Sequence, residues 1–158
     1  DRLTNLPTVG SMYLFRYQAK HADTLPYWDK MPLIFPFQAT KNGFYGLNLH
    51  YIAPRERAKF MDALYETRNN NRFDESTKLK ISYDILRSVS KLKPYKPCLK
   101  RYLHNQKKSQ FFKIHPTEWD IAIMLPLANW QKKTGNYVYG QSAKQYVRKE
   151  ARKKHYKV

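Results

Sequence analysis

Met31-Pro-Leu-Ile-Phe-Pro-Phe-Gln38 and Phe44-Tyr-Gly-Leu-Asn-Leu-His-Tyr-Ile52, joined across Lys41-Asn42-Gly43, are the segments on which the fold turns. Both are apolar and rich in aromatic and branched residues, the composition of strands. Asn-Gly between them accepts the positive φ of a tight hairpin turn at little cost. The two segments are therefore expected to pair antiparallel. Pro32 and Pro36 each withhold a ladder donor, which places the first strand at an edge or beside a bulge. Gly46 marks a bulge or a close backbone approach. Upstream, residues 11–17 alternate Met12 and Leu14 against Tyr13, Phe15 and Tyr17 and read as another strand, as do residues 110–114 further on.

Helical spacing takes over after the hairpin. Pro54 suits a first helical turn, and Phe60, Met61, Leu64 and Tyr65 give one apolar stripe over 54–68. Asp74 is placed to cap a second helix over 76–91. There Leu79, Tyr83 and Leu86 adjoin Ile81, Ile85 and Val89, so burial over much of its girth is expected. Pro94 and Pro97 force extended backbone after it. Residues 99–105 fit either a strand or a helical turn, and His115 to Asp120 reads as a helix start. Residues 134–140 look like a connector, and Ser142 with Gln145 forms a capping box for a last, basic helix. The expected class is α+β: a small SH3-like β-barrel or curled antiparallel sheet, with a two-helix insertion and a basic C-terminal helix. One domain would cover 1–130, with a basic connector and helix over 131–158.

The chain has 158 residues, enough for one compact domain but not two. Aromatics make up 15% of it, sufficient bulk for a real core. No apolar run is long enough to cross a bilayer, so no membrane partner is expected. Cys98 is the only cysteine, which excludes a disulfide framework. The dominant number is the charge: 30 Lys and Arg against 12 Asp and Glu, a formal net of +18. It is unevenly spread. Residues 1–87 hold 13 basic and 9 acidic side chains, a net of +4, whereas residues 88–158 hold 17 and 3, a net of +14. Such an excess repels itself until a polyanion neutralises it.

No assembled catalytic site is visible, and no enzymatic activity or cofactor is expected. The five histidines are scattered without a metal-ligand spacing, and phosphate-loop and dinucleotide glycine patterns are absent. Asp74-Glu75 and Glu118-x-Asp120 are the carboxylate pairs that could hold a divalent ion, but both sit where helix-start acids belong. Cys98, between basic stretches, could carry a lowered pKa or be a small buried hydrophobe. Asp29 is expected to close a turn by accepting from backbone amides, and His50 to bridge the barrel to the loop at Pro54. Alanine at either should lower the melting temperature.

Two basic segments are the candidate nucleic-acid contacts. The first comprises Lys91, Lys93, Lys96, Lys100, Arg101, Lys107, Lys108 and Lys113, interleaved with Tyr95, Tyr102 and Phe111. The second is the C-terminal helix with Lys144, Arg148, Lys149, Arg152, Lys153 and Lys154. Cations so spaced neutralise phosphates, and aromatics among them either stack on bases or fill the core. Lysine predominates and acts as a point charge, so binding should be largely independent of sequence.

Gly10-Ser-Met-Tyr-Leu-Phe-Arg-Tyr17, Leu25-Pro-Tyr-Trp-Asp-Lys-Met-Pro-Leu-Ile34 and Gly43-Phe-Tyr-Gly-Leu-Asn-Leu-His-Tyr51 resemble proteins of T4-like tailed phages. Ser82-Tyr-Asp-Ile-Leu86, Pro97-Cys-Leu-Lys-Arg-Tyr-Leu103 and Glu118-Trp-Asp-Ile-Ala122 extend the likeness over much of the chain. It is most similar to the DNA end protector family, basic virion proteins that guard packaged genome ends against host exonuclease. The resemblance implies a non-catalytic DNA-binding protein that acts in the virion and passes through the host cytoplasm during assembly. It also implies other virion proteins as neighbours, and it assigns no catalytic residue. A structural subunit of the neck, tail or baseplate is the alternative, and a ribosomal or RNA-associated protein a second one.

Overall fold

A computed structural model describes residues 2–144. The fold is α+β, built on a six-stranded antiparallel sheet. Its strands are β1 (Leu3–Thr4), β2 (Met12–Leu14), β4 (Leu33–Ala39), β5 (Gly43–Asn48), β6 (Leu99–Leu103) and β7 (Phe111–Ile114). They lie in the order β1-β7-β2-β4-β5-β6. A separate two-stranded sheet joins β3 (Trp28–Asp29) to β8 (Trp130–Gln131). The helices are α1 (Pro54–Arg68), α2 (Glu75–Ser90) and the short α3 (Trp119–Met124), and residues 135–144 are helical as well.

The hairpin forms as its sequence demands. Ile34 faces Asn48, Phe35 faces Leu47 and Pro36 faces Gly46, and the register shifts between Pro36 and Gln38. Pro36 therefore sits in a central strand, tolerated because a bulge follows it at once, while Pro32 lies just before the strand begins. Gly46 faces Pro36 beside that bulge, and a β-carbon there would make only ordinary contacts, the nearest 3.4 Å from the Phe35 carbonyl oxygen. The turn corrects one expectation: Gly43 does not adopt positive φ. Glycine is required there because a β-carbon would fall 1.8 Å from the Tyr102 carbonyl oxygen on β6.

Alternation splits the strands between two cores. Met12, Leu33, Phe35, Phe37 and Leu47 face the helices and pack with Phe60, Met61, Leu64, Leu86 and Trp119. Tyr13, Phe15, Tyr17, Ile34, Phe44, Tyr102 and Phe111 form a second buried cluster, almost wholly aromatic. The Phe15 and Tyr102 rings meet edge-on at 5.5 Å, although β4 and β5 lie between β2 and β6 in the sheet. The sheet must curl strongly for that contact to form. It does not close: β1 and β6 remain its two ends, so no closed barrel exists among the described residues.

Helix α1 has the bounds its pattern predicts, with Pro54 in its first turn. Asp74 caps α2, accepting from the Thr77 amide at 2.7 Å. Helix α2 is less buried than expected: Lys78, Ser82, Leu86 and Ser90 form one stripe spaced by four, while Leu79 is exposed. One helical face is enough to cover the sheet flank. The 134–140 connector and the Ser142 capping box are corrected too. Thr134 accepts from the Tyr137 amide where the helix begins, and Val138 is fully buried in the main core. Ser142 lies inside this helix, donating to the carbonyls of Tyr51 and Val138.

Arg57 is the most consequential buried side chain, only 2% exposed. Its Nε donates to the Leu49 and Ile52 carbonyls at 2.6 and 2.8 Å, and its Nη1 to the Ile123 carbonyl at 2.9 Å. Nη2 donates to the Tyr139 hydroxyl at 3.0 Å. The Ile52 and Ile123 carbonyls lie at the ends of the short turn after β5 and of helix α3, where acceptors lack helical partners, while the Leu49 carbonyl also accepts from the Ile52 amide. Arg57→Leu should lower stability by about 3–5 kcal/mol through these orphaned acceptors. Gly43→Ala should cost about 1–3 kcal/mol by forcing β5 from β6. Urea unfolding midpoints check both, and wild-type midpoints would refute the accounts.

Candidate nucleic-acid interface

Tyr17 is the pivot of the basic surface. It lies past the end of β2, bridged to Lys107, and its hydroxyl accepts from the Leu103 amide at 3.1 Å. The Lys108 amide donates to the Arg16 carbonyl at 2.8 Å, and the Gln18 amide to the Gln106 carbonyl at 3.1 Å. These bonds fasten the 16–18 segment to the 104–108 segment and bring cations from both halves of the chain together. Two clefts share Tyr17 as a wall. The larger, of about 610 Å³, carries Lys20, Lys100 and Arg101 among its lining residues; the smaller, about 410 Å³, carries Arg16, Lys30 and Lys108.

The predicted residues are thus partly gathered and partly dispersed. Lys100, Arg101 and Lys108 line the two clefts, and Lys107 stands beside them, its ammonium 5.0 Å from the Phe111 ring centre and donating to the Asn5 carbonyl. Lys91, Lys93 and Lys96 lie elsewhere, at the end of α2 and in the 3-10 run Lys93–Cys98. Exposed Lys113 is on β7, and exposed Lys144 is on the helical stretch that ends the described residues. Arg148, Lys149, Arg152, Lys153 and Lys154 lie outside the described residues. Of the interleaved aromatics, Tyr102 and Phe111 are core residues and Tyr95 is half-buried. Arg16, Lys20 and Lys30 were not singled out in the sequence, because they come from the half with a balanced charge.

Lys100 differs from its neighbours. Alternation along β6 turns it to the same side as Tyr102, and its ammonium sits 3.9 Å from the centre of the Tyr51 ring. Burial lowers its pKa. No carboxylate among the described residues pairs with it. Burial also raises the Tyr17, Tyr51 and Tyr102 hydroxyls, so all three remain protonated donors. The loop forming the far wall is held by Lys132, whose ammonium donates to the carbonyls of Ala22, Asp23 and Leu25.

Beneath the cleft, Asp29 and His50 form a buried pair. His50 Nδ1 donates to Asp29 Oδ2 at 2.6 Å, and Asn48 Nδ2 donates to the same oxygen at 3.2 Å. Oδ1 accepts the amides of Met31 and Asn129. The expected turn closure by Asp29 is present. The His50 expectation is corrected: its ring reaches Asp29 rather than the loop at Pro54, because β3 runs beneath the turn after β5. Burial pushes the Asp29 carboxyl up, but the His50 hydrogen bond and charge and the two amides outweigh it and hold it below the usual range. Of the two readings of Cys98, the buried hydrophobe is the one present: it lies in the main core, and burial pushes its thiol up to about 12 and makes it inert when folded. Among the described residues no cluster of His, Cys, Asp and Glu could hold a metal ion, and no helix is long and apolar enough to cross a membrane.

Residues 2–148 match the family model described as phage T4 terminal DNA protecting protein. No curated protein and no solved structure matches.

A carboxylate held below its unfolded pKa adds stability that is complete above the unfolded value and disappears as pH falls through the folded one. The Asp29 contribution should therefore be full at pH 7 and decline below about pH 4. Asp29→Asn should cost about 3 kcal/mol at pH 7 and flatten the loss between about pH 4 and pH 2. Urea unfolding across that range is the measurement, and an unchanged acid slope would refute the assignment.

Proposed function

The chain belongs to the family of phage T4 terminal DNA protecting proteins, and from that premise we propose that it binds the ends of phage genomic DNA and shields them without reading sequence or performing chemistry. The supporting observation is the convergence of Arg16, Lys20 and Lys30 with Lys100, Arg101 and Lys108 around Tyr17, which makes one cationic face from both halves of the chain. Phosphates are its natural counter-charge. Lysines on such a face neutralise backbone charge but do not form the bidentate contacts that distinguish guanine, so all sequences are held alike.

The remaining predicted cations widen the footprint. Lys107 and Lys113 flank the Tyr17 face along the chain, and Lys91, Lys93 and Lys96 supply a second basic group. In this reading residues 1–130 are the body that presents the face. Residues 131–158 are a basic arm whose first part is tied down by Val138 and Ser142. Lys144, Arg148, Lys149, Arg152, Lys153 and Lys154 then add backbone contacts beyond the body. The protein would be carried in the virion beside other virion proteins and meet the genome in the host cytoplasm during assembly. End protection needs only occupancy: a bound protein denies an exonuclease the terminus.

With roughly six to ten phosphate contacts, affinity should fall about a thousandfold or more between about 50 and 200 mM salt. Single alanine replacements of Arg16, Lys30 or Lys108 should each reduce the salt slope by about one, alike on unrelated sequences. Linear duplex should be bound more tightly than closed circles and digested more slowly by a processive exonuclease. Equal affinity for ends and circles with unhindered digestion would reject end protection. Absence of DNA binding at about 50 mM salt would point to an acidic protein partner, as for a structural subunit of the particle.

A further inference from the structure

The larger cleft has features that a purely electrostatic surface does not need. Its volume of about 610 Å³ falls within the roughly 300–1,000 Å³ typical of small-ligand sites. Tyr27, half-buried, is braced by Trp130 and Tyr137, each 6.1 Å away and near perpendicular. Tyr51 and Tyr102 extend the aromatic lining, and Leu25 and Pro26, just before Tyr27, line the cleft as well. Cations stand among these rings rather than apart from them. Lys100 is the telling one: a half-buried residue whose ammonium lies over the Tyr51 ring, with no carboxylate pairing with it among the described residues. A cation lining a cleft with no carboxylate beside it is open to an anionic ligand. Asp29 also lines the cleft, but its two oxygens already accept from Met31, Asn129, Asn48 and His50.

We propose that this cleft takes one unpaired nucleotide from a DNA terminus, its base against Tyr27 and its phosphate on Lys100, Lys20 and Arg101, with the buried Tyr51 and Tyr102 forming the floor beneath. The proposal rests on the reading above that DNA is the ligand, and it names the feature by which an end is told from an interior. Every interior base of a duplex is stacked on both faces. A terminal base is stacked on one, so it leaves the stack at least cost, and an unpaired one leaves at almost none. A cleft of this size has room for a base and its sugar. Aromatic stacking is tolerant of base identity, so end recognition stays independent of sequence. The cationic face holds any duplex, and the cleft adds affinity only where a nucleotide can enter it.

The test uses the full chain and a 5′-phosphorylated trideoxythymidylate, followed by the fluorescence of Trp28, which lines the cleft. Saturable binding is expected, with inorganic phosphate at the same concentration producing no such change. Tyr27→Leu and Lys100→Gln should each weaken it at least about fivefold. Ala19→Trp, which fills the cleft without removing any of these contacts, should abolish it, and thermal melts would verify that each variant folds. A combined Lys96, Lys108 and Lys113 to Ala variant should bind the trinucleotide as wild type does while losing affinity for linear and circular duplex alike. If the filled variant binds the trinucleotide normally, or wild type does not bind it, the cleft proposal is wrong even where ends are still preferred over circles. If wild type takes the trinucleotide but holds ends and circles equally, the cleft binds nucleotides and the end-protection reading fails instead.

Discussion

The guanidinium of Arg57 is the constraint from which the rest of the architecture hangs. It is a buried charge with no carboxylate partner among the described residues, held instead by the carbonyls of Leu49, Ile52 and Ile123 and the Tyr139 hydroxyl, with the His50 carbonyl a longer acceptor at 3.5 Å. Two of those carbonyls, of Leu49 and Ile52, bracket the turn by which the chain leaves β5. That turn carries His50 and Tyr51. His50 fixes Asp29, Asp29 fixes the β3–β8 pair through the Asn129 amide, and Tyr51 lies under Lys100. A single side chain on α1 thus sets the position of the cleft floor. The other two contacts, to Ile123 and Tyr139, draw α3 and the 135–144 helix onto the same point. Neutral acceptors serve here because a guanidinium offers five donors in one plane, so its charge is spread across several partial dipoles.

The organisation of charge follows from this frame. A body with little net charge in its first 87 residues forms the sheet and helices, and the basic second half returns to supply β6, the 104–108 segment and β7. Curling of the sheet brings the two halves into register at Tyr17. Concentrated positive charge opposes compaction, and the fold tolerates it by keeping most of these cations at the surface while the aromatic cluster between β2, β5, β6 and β7 supplies cohesion beneath. Lys100 is the exception that is drawn inward. Its position on β6 is set by strand alternation and its company is aromatic.

Much of the scaffold was legible because it follows local rules. The hairpin, α1 with its proline start, the Asp74 cap and the strand at 110–114 each depend on side chains near in sequence. What escaped depends on distant partners. β3 and β8 are two residues long and exist because Asp29 bonds to Asn129, a hundred positions away. The 135–144 helix was masked by glycines, asparagine and tyrosines, which read as loop until Val138 is seen to be buried. Arg57 was not singled out, since nothing local says that backbone acceptors from three separate segments will close around it. Of the site, the basic residues on β6 and beyond it were visible from charge alone. Arg16, Lys20 and Lys30 were not, because only the curl of the sheet brings them to the same face, and the Asp29–His50 contact likewise needs the tertiary fold.

Cys98 has a consequence of a different kind. A lone thiol, 1% exposed and with a pKa pushed up to about 12, is closed to alkylating and disulfide reagents while the chain is folded. It becomes reactive only when the β5–β6 region and the adjoining 3-10 run open. The chain therefore carries an intrinsic clock at the seam between its near-neutral and its basic halves. The rate at which a thiol reagent is consumed measures how often that seam parts, with no label added and no residue replaced.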